Sequence, residues 1–371
     1  MKKVFSIDWL LFFGIIPILA AGLVTMSSFG SKSTYFGRQL IWIAVAFVIF
    51  FACSLIDFRF LKRTRVLVTF FLITCFILFA LSVVGHISKG AQSWFRIGFL
   101  SIEPSDPAQI VLILLLSKYF SRRHIEIRNI RHILTSGVYS FLICVLILIQ
   151  PNFGGAIIIF FIWFGMVLVS GISRKHVVMV LVVGVVASVG LWVYALKPYQ
   201  KDRIQTFVNP LADIHGAGYN AYQSTIAVGS GKLLGKGVGY GTQSKLNFLP
   251  EYRTDFIFAA FAEEWGFVGT LVLFGFYALV IWRILKSALE GLSNFETLYG
   301  VGIAIFLASH FIVNVGMNIG LLPVTGVTIP FMSYGGSHLV TEFTALGILM
   351  GMRRYNVRVK KNNINNEIAG I

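Results

Sequence analysis

Apolar residues run along this chain in stretches of about twenty, close to what an α-helix needs to cross a bilayer core. Ten such stretches recur, at approximately 8–27, 38–56, 66–85, 106–120, 133–149, 153–171, 176–195, 257–281, 298–321 and 334–352. The polar breaks between them are short, except for residues 196–255, where the composition shifts to Gly, Lys, Asn, Gln and Tyr. The pattern predicts an all-α integral membrane protein with ten transmembrane helices. One large extracellular loop, 196–255, joins helices 7 and 8. A structureless loop that long is uncommon in a compact protein, so it is expected to fold against the membrane and to carry function. The spans form one polytopic domain, 1–355. The remaining 356–371 form a cytoplasmic tail whose KKNNINNEIAGI sequence reads as disordered.

Composition supports this picture. Hydrophobic residues fill 57% of the 371 positions and charged residues only 12%, which excludes an ordinary soluble domain. The net charge of +16 raises the question of a nucleic-acid partner. Most Lys and Arg, however, lie in alternate short loops and at both ends: Lys2 and Lys3, Arg59 to Arg65, Lys118 to Arg131, Arg174 and Lys175, Arg283 and Lys286, Arg353 to Lys361. With an even number of spans both termini share that basic side, which the positive-inside rule assigns to the cytoplasm. The excess charge is therefore a topology signal that also attracts anionic membrane lipid, and no nucleic acid is expected. The first span is longer than a signal-peptide core and is read as retained. Cys53, Cys75 and Cys144 lie inside spans at no metal or disulfide spacing, and read as packing residues.

The chemistry concentrates in FLPEYRTDFIFAAFAEEWG, 248–266. Asp255 follows Thr254, a good N-cap, which places it in the first turn of the eighth span, where the helix dipole favours the carboxylate. The alternative is an aspartate that only caps the helix. Glu263 and Glu264 follow inside an apolar run, where a charge is expensive and marks function or an ion pair. On a regular helix they are rotated from Asp255 by about 80° and about 180°. One is then expected to line a cavity and the other to pair with a neighbouring helix. The Gly-rich stretch 229–243 misses the P-loop spacing, because Ser230 and Gly237 stand where that motif needs Gly and Ser or Thr. It reads either as an anion contact through its glycines, Lys232 and Lys236, or as a turn-rich loop. His310, Asn314 and Asn318 form an i, i+4, i+8 polar stripe in the ninth span, with Glu342 of the tenth span as its expected partner. Interhelical glue is the competing role. Two prolines and four glycines break the helical pattern over 318–337. Such backbone is tolerated at membrane depth only when buried or lining a cavity, which suggests a binding site beside Asp255.

Several segments in this order resemble the SEDS family (shape, elongation, division and sporulation) of bacterial peptidoglycan polymerases. They are YFGRQLIW (35–42), GAQSWFRIG (90–98), NAYQSTIAVGSGKLLGKGVGYGTQ (220–243), FLPEYRTDFIFA (248–259), AEEWGFVG (262–269), NVGMNIGLLPVTG (314–326) and PFMSYGGS (330–337). The wording is closer to the rod-shape branch than to the division or sporulation branches. The resemblance implies an inverting glycosyltransferase of the bacterial cytoplasmic membrane, using lipid II as donor and acceptor, with Asp255 as general base. It implies pyrophosphate or substrate contacts from Lys236, Arg203, Arg253, Gln223, Gln243, Ser333, Gly335, Gly336 and Ser337. Glu251, Glu263, Glu264 and Asp106 are in support. A divalent cation, Mg or Mn, is an implied cofactor with no ligand set assigned, and a class B penicillin-binding protein is the implied partner. This chain departs from the family pattern at Asp106 and Gln109, where Glu and Lys are usual, at Asn152 (Asp) and at Thr328 (Pro). One expected intramembrane ion pair has thus lost its cation. Two readings from other classes compete: a lipid II flippase and a scaffold that only recruits the penicillin-binding protein.

Overall fold

A computed structural model of the chain describes residues 7–28, 34–84, 86–88, 91–97, 100–122, 130–195, 201, 205–209, 217–246, 248–249 and 251–369. Each of the ten apolar stretches is a helix there. α1 is Trp9–Ser27, α2 Thr34–Leu55, α3 Thr64–Val84, α4 Ser105–Ser121, α5 Ile130–Ile149, α6 Phe153–Val169 and α7 Arg174–Gly190, which continues as a π-turn over Leu191–Ala195. Within the 196–255 segment lie α8 Ala217–Ser230 and the short α9 Thr242–Lys245, and after it come α10 Ile257–Leu289, α11 Asn294–Asn318 and α12 Gly336–Ala369. By length and composition α1, α2, α3, α5, α10 and α11 are apolar enough to cross a membrane, and α6 is a shorter apolar helix. The last helix continues to Ala369, through the tail for which the sequence predicts disorder.

One part of the fold departs from the all-α expectation. Residues 86–102 form a three-stranded antiparallel sheet of β1 His86–Ser88, β2 Ala91–Ile97 and β3 Leu100–Ile102 in that spatial order. Its outer register pairs Phe95 with Ile102 and Ile97 with Leu100. The segment is short, and its Trp, Phe and Ile suit a pleated surface better than a loop. Strands this short give almost no periodic signal beside twenty-residue apolar runs.

The core is one large apolar cluster shared by most helices, with a smaller second one of Ala227, Leu249, Tyr252, Phe256, Ala259 and Ala260. Within the large cluster α2 packs along α12, α1 along α10, and α11 against α4, α6 and α10. Many of the remaining Phe, Leu, Ile and Val side chains are exposed, including Val48, Phe76, Phe141 and Leu271. A belt of this kind is what lipid-facing helix surfaces require.

α10 is interrupted. Gly266 takes φ 65° and ψ −166°, so the helix is two segments joined at a kink. The Gly-rich loop docks there: Phe267 N donates to Lys232 O (2.9 Å) and Val268 N to Leu233 O (3.0 Å). The approach demands glycine on both sides. A Cβ on Gly235 (φ 81°) would lie 2.1 Å from Glu264 O, and one on Gly266 2.2 Å from Gly235 N.

At the end of the bundle that carries the basic loops, Asp8 is buried and caps α1 by accepting from Leu11 N (3.1 Å). Its carboxylate also accepts from Arg283 Nε of α10 (3.1 Å) and lies 3.1 Å from Arg353 Nη1 of α12. This one acid ties three helices together. Asp8→Ala removes the acid from Arg283 and leaves Arg353 only half-exposed Glu290, 3.2 Å from its Nη2. It is expected to destabilise the fold by about 3–5 kcal/mol, the cost typical of breaking a buried pair, read as a lower melting temperature in detergent. An unchanged melting temperature would remove Asp8 from this role.

Candidate active site

Asp255 does not sit in the first turn of α10. It lies two residues before the helix, in a turn spanning 251–256. Thr254 is not the cap: its hydroxyl reaches back to Glu251 Oε2 (3.2 Å), while Thr254 N and Phe256 N both donate to Glu251 O. Exposed Glu251 itself adopts a left-handed φ of 53°. The turn is fixed by its carbonyl groups. Arg253 O accepts from Tyr334 N (2.9 Å), and Thr254 O from Ser333 Oγ (2.7 Å). Asp255 O accepts from Asn314 Nδ2 (2.9 Å) and Asn318 Nδ2 (3.0 Å).

The polar stripe of α11 thus has a definite task. Asn314 also donates to Val327 O (2.7 Å), and Asn318 O accepts from Ser224 Oγ of α8 (2.9 Å). One row of amides therefore joins α8, the Asp255 turn and the broken segment between α11 and α12. In that segment Gly326, at φ 73°, passes so close that a Cβ there would sit 3.5 Å from Asp255 Oδ2. The broken segment 318–337 lies beside Asp255.

The predicted cations separate. Arg253 shares the turn with Asp255, and its guanidinium carbon lies 4.7 Å from the ring centres of both Tyr35 and Tyr252. It also donates to the Tyr252 hydroxyl. Lys236 instead donates to Glu263 Oε1 (2.7 Å) and Thr242 Oγ1 (2.8 Å). Arg203 lies outside the described residues.

Glu263 and Glu264 do not divide between a cavity and a neighbouring helix. The kink begins right after them, and both turn to the Gly-rich loop. Fully buried Glu263 accepts from Thr242 N (2.9 Å) and Gln243 N (3.2 Å) as well as Lys236. Glu264 accepts from Gly239 N (2.7 Å). Gln243 is held by its backbone, with its Oε1 buried and unpartnered. Gln223 is half-buried on α8, next to Ser224.

The remaining candidates build the start of α12. A Cβ on Gly336 would fall 2.1 Å from the Trp42 ring, so only glycine lets the helix begin there. Gly335 O accepts from Leu339 N in the first turn (3.0 Å). Ser337 Oγ accepts from Glu103 N (3.1 Å). Asp106 meets a residue that the sequence reading missed: its Oδ1 is 3.2 Å from His338 Nδ1, and His338 Nε2 is 2.9 Å from Glu342 Oε1. Glu342 therefore pairs with His338, one helical turn away, and not with His310. His310 faces Gln109 Oε1 (3.0 Å) and Thr328 O (3.2 Å). The nitrogen partner that Asp106 lacks at Gln109 comes instead from His338 of α12. The i, i+4 spacing of His338 and Glu342 on one helix was the available signal.

Glu103 was also overlooked. It accepts from Ser105 Oγ and Asn152 Nδ2, both at 2.7 Å, while Asn152 Oδ1 caps α6 at Gly155 N (2.8 Å). Burial, and then the negative charge of Asp106, push the Glu103 carboxyl up to about 8. Asn152 fits this acid as a donor, which an aspartate in its place could not be.

A polar cluster of buried amides and acids among apolar helices defines a multi-pass integral membrane protein. The chain matches the FtsW/RodA/SpoVE family of cell cycle proteins over residues 2–358 and belongs to it. It is 32% identical to the probable peptidoglycan glycosyltransferase FtsW of Wigglesworthia glossinidia brevipalpis, over 97% of this chain and 96% of that one. It is 36% identical to the peptidoglycan glycosyltransferase MrdB of Escherichia coli K12 over 79% of each chain. To stage V sporulation protein E of Bacillus subtilis strain 168 it is 33% identical over 94% of each. Among solved structures it resembles a chain from a peptidoglycan synthase complex described as coordinating polymerization and crosslinking. The TM-score is 0.81 at 28% identity, over 95% of this chain and 98% of that one. It also resembles the rod shape determining protein RodA of Thermus thermophilus, with TM-score 0.70 at 28% identity over the same shares. Family and apolar helices together make this a multi-pass protein of the bacterial cytoplasmic membrane.

Two outcomes follow for the acids around the site. Glu263→Gln should free Lys236 and loosen residues 236–243, raising hydrogen exchange there; unchanged exchange would show that the carboxylate does not hold the loop. Glu103 has a folded pKa above the ordinary 4.5 of its side chain. Its contribution to stability is therefore full below about pH 4.5 and is lost as pH rises through about 8. Between pH 6 and 9 the melting temperature should fall more steeply for the parent than for Glu103→Gln. Parallel curves would contradict this.

Proposed function

We propose that this protein polymerises lipid II into glycan strands at the outer face of the cytoplasmic membrane, for cell elongation, with Asp255 as general base. In this reading all ten helical stretches cross the membrane, α4, α6, α7 and α12 included. Both termini are cytoplasmic, and the Gly-rich loop and the Asp255 turn lie outside. The supporting observation is the Asp255 turn itself. Three consecutive carbonyls are bonded to donors from α11 and from the segment before α12, which fixes the position of Asp255 beside Gly326. Membership of a family whose relatives are named peptidoglycan glycosyltransferases supplies the reaction class. The rod-shape assignment rests on motif wording and on the likeness to MrdB and RodA.

The 4-hydroxyl of one lipid-linked sugar attacks the anomeric carbon of another, and the new C–O bond forms as the bond to pyrophosphate breaks. Asp255 takes the hydroxyl proton, and undecaprenyl pyrophosphate leaves from the opposite face, which inverts the configuration. The charge developing on the leaving group needs a fixed cation nearby. Arg253 is the better placed of the described candidates, since Lys236 is committed to Glu263 and Thr242. Tyr35 and Tyr252 hold its guanidinium by cation–π contact. Among the described residues no group of three or more His, Cys, Asp or Glu side chains is arranged to hold a metal ion. A magnesium or manganese ion needs only one or two carboxylates together with substrate phosphates, so Asp255 fits that mode of binding. Such an ion would supply positive charge to the pyrophosphate. A class B penicillin-binding protein, cross-linking the product, is the proposed partner.

Purified protein and fluorescent lipid II test the reading. Asp255→Asn should lower polymer formation by about 10²-fold or more, with membrane insertion and partner binding retained. Lipid translocation without polymer would replace the enzyme by a flippase. Full rod shape in cells carrying Asp255→Asn would leave only a scaffold.

A further inference from the structure

The family resemblance leaves Glu342 and His338 without a role, yet both are buried in the middle of the site's supporting shell, at 1% and 6% exposure. Asp106, on α4, is 6% exposed and completes the group. The two ring nitrogens of His338 face a carboxylate oxygen each, at 3.2 and 2.9 Å. Nδ1 is hydrogen-bonded to Asp106, while Nε2 meets Glu342 at ion-pair distance without hydrogen-bond alignment, so the three side chains form a carboxylate–histidine–carboxylate row.

The far end of that row holds a strained turn. Both oxygens of Glu342 accept from Phe331 N, at 3.0 and 3.3 Å. Phe331 is in the left-handed region at φ 61°, a conformation that a bulky residue keeps only when its surroundings fix it. The same turn is closed by Ile329 N donating to Ser333 Oγ (3.0 Å), and that hydroxyl donates onward to Thr254 O (2.7 Å). Tyr334, one residue further, holds Arg253 O. The charge row is thus two hydrogen-bonded steps from the backbone of the residue before Asp255.

We propose that Asp106, His338 and Glu342 are a positioning triad that fixes the Phe331 turn and, through Ser333, the direction of the Asp255 carboxylate. This rests on Asp255 being the general base. Glue between α4 and α12 would explain the ion pairs alone. It would not explain why the row ends on the N–H of a left-handed phenylalanine that carries the clamp on Thr254. The buried amide of Phe331 needs an acceptor, and the carboxylate is the group that meets it.

The test uses the full chain, purified alone or with its transpeptidase partner, and fluorescent lipid II. Glu342→Gln and His338→Gln keep the side-chain volume and remove the charge. Each should lower kcat about 10-fold or more, with KM within about 2-fold and the melting temperature close to the parent's, as expected when reacting groups are displaced by a fraction of an ångström. If either variant fails to insert, Asp106→Asn, which leaves the Phe331 bond untouched, is scored by the same criteria. Ser333→Ala supplies a second measure. Since it acts through the same turn, Glu342→Gln with Ser333→Ala should be no slower than the slower single variant. Unchanged kcat, a loss carried by KM or melting temperature alone, or full additivity with Ser333→Ala would each overturn the proposal. Asp255→Asn is measured alongside. Polymer persisting there overturns the general-base reading, whereas a dead Asp255→Asn beside fully active triad variants overturns only the positioning role.

Discussion

The structure depends on how one short turn is held. Residues 253, 254 and 255 offer three successive carbonyl oxygens, and each is taken by a donor from elsewhere: Tyr334 N, the Ser333 hydroxyl and the paired amides of Asn314 and Asn318. Backbone outside a helix is tolerated at the edge of a bilayer only when its polar groups are satisfied by protein or water. Here that requirement also serves the site. The bonds that satisfy the turn come from α11 and from the segment before α12, so the carboxylate of Asp255 inherits the rigidity of two helices.

The acids around the turn are sorted by their partners. Glu263 has a lysine and two backbone N–H groups, and it organises the loop. Asp106 and Glu342 share one histidine. Glu103 is buried beside the negative Asp106, and these outweigh its donors Ser105 and Asn152 and nearby His338, so its proton is retained to higher pH. A membrane interior makes each uncompensated charge costly, so the differences in partner translate into different protonation and different tasks within a small volume.

Much of this was legible in the sequence. Apolar runs of about twenty residues marked ten of the helices, because helices that face lipid need little beyond apolar length. Asp255 and the broken segment 318–337 stood out because polar and helix-breaking residues are anomalous there. Pairwise contacts were less accessible. Glu342 was matched to His310 on depth, while its partner is His338 on its own helix, and His310 faces Gln109 and Thr328 instead. The expected rotation of Glu263 and Glu264 about α10 assumed a helix that begins at Asp255 and runs straight. The helix begins later and breaks at Gly266. The small sheet at 86–102 escaped because short strands have no run long enough to show their alternation.

The docking of the Gly-rich loop on the kink of α10 bears on how the chain assembles. Breaking the helix at Gly266 deprives Phe267 and Val268 of their intrahelical acceptors, and Lys232 and Leu233 supply replacements. The second half of α10 is therefore not self-sufficient in a bilayer until the loop has closed over it. The loop lies only about thirty-five residues earlier in the chain, and closing so short a segment carries a modest entropic cost. During synthesis it emerges before the helix that needs it. The order of residues along the polypeptide thus gives an order of events at the membrane, with the Gly-rich loop in place as the broken helix arrives.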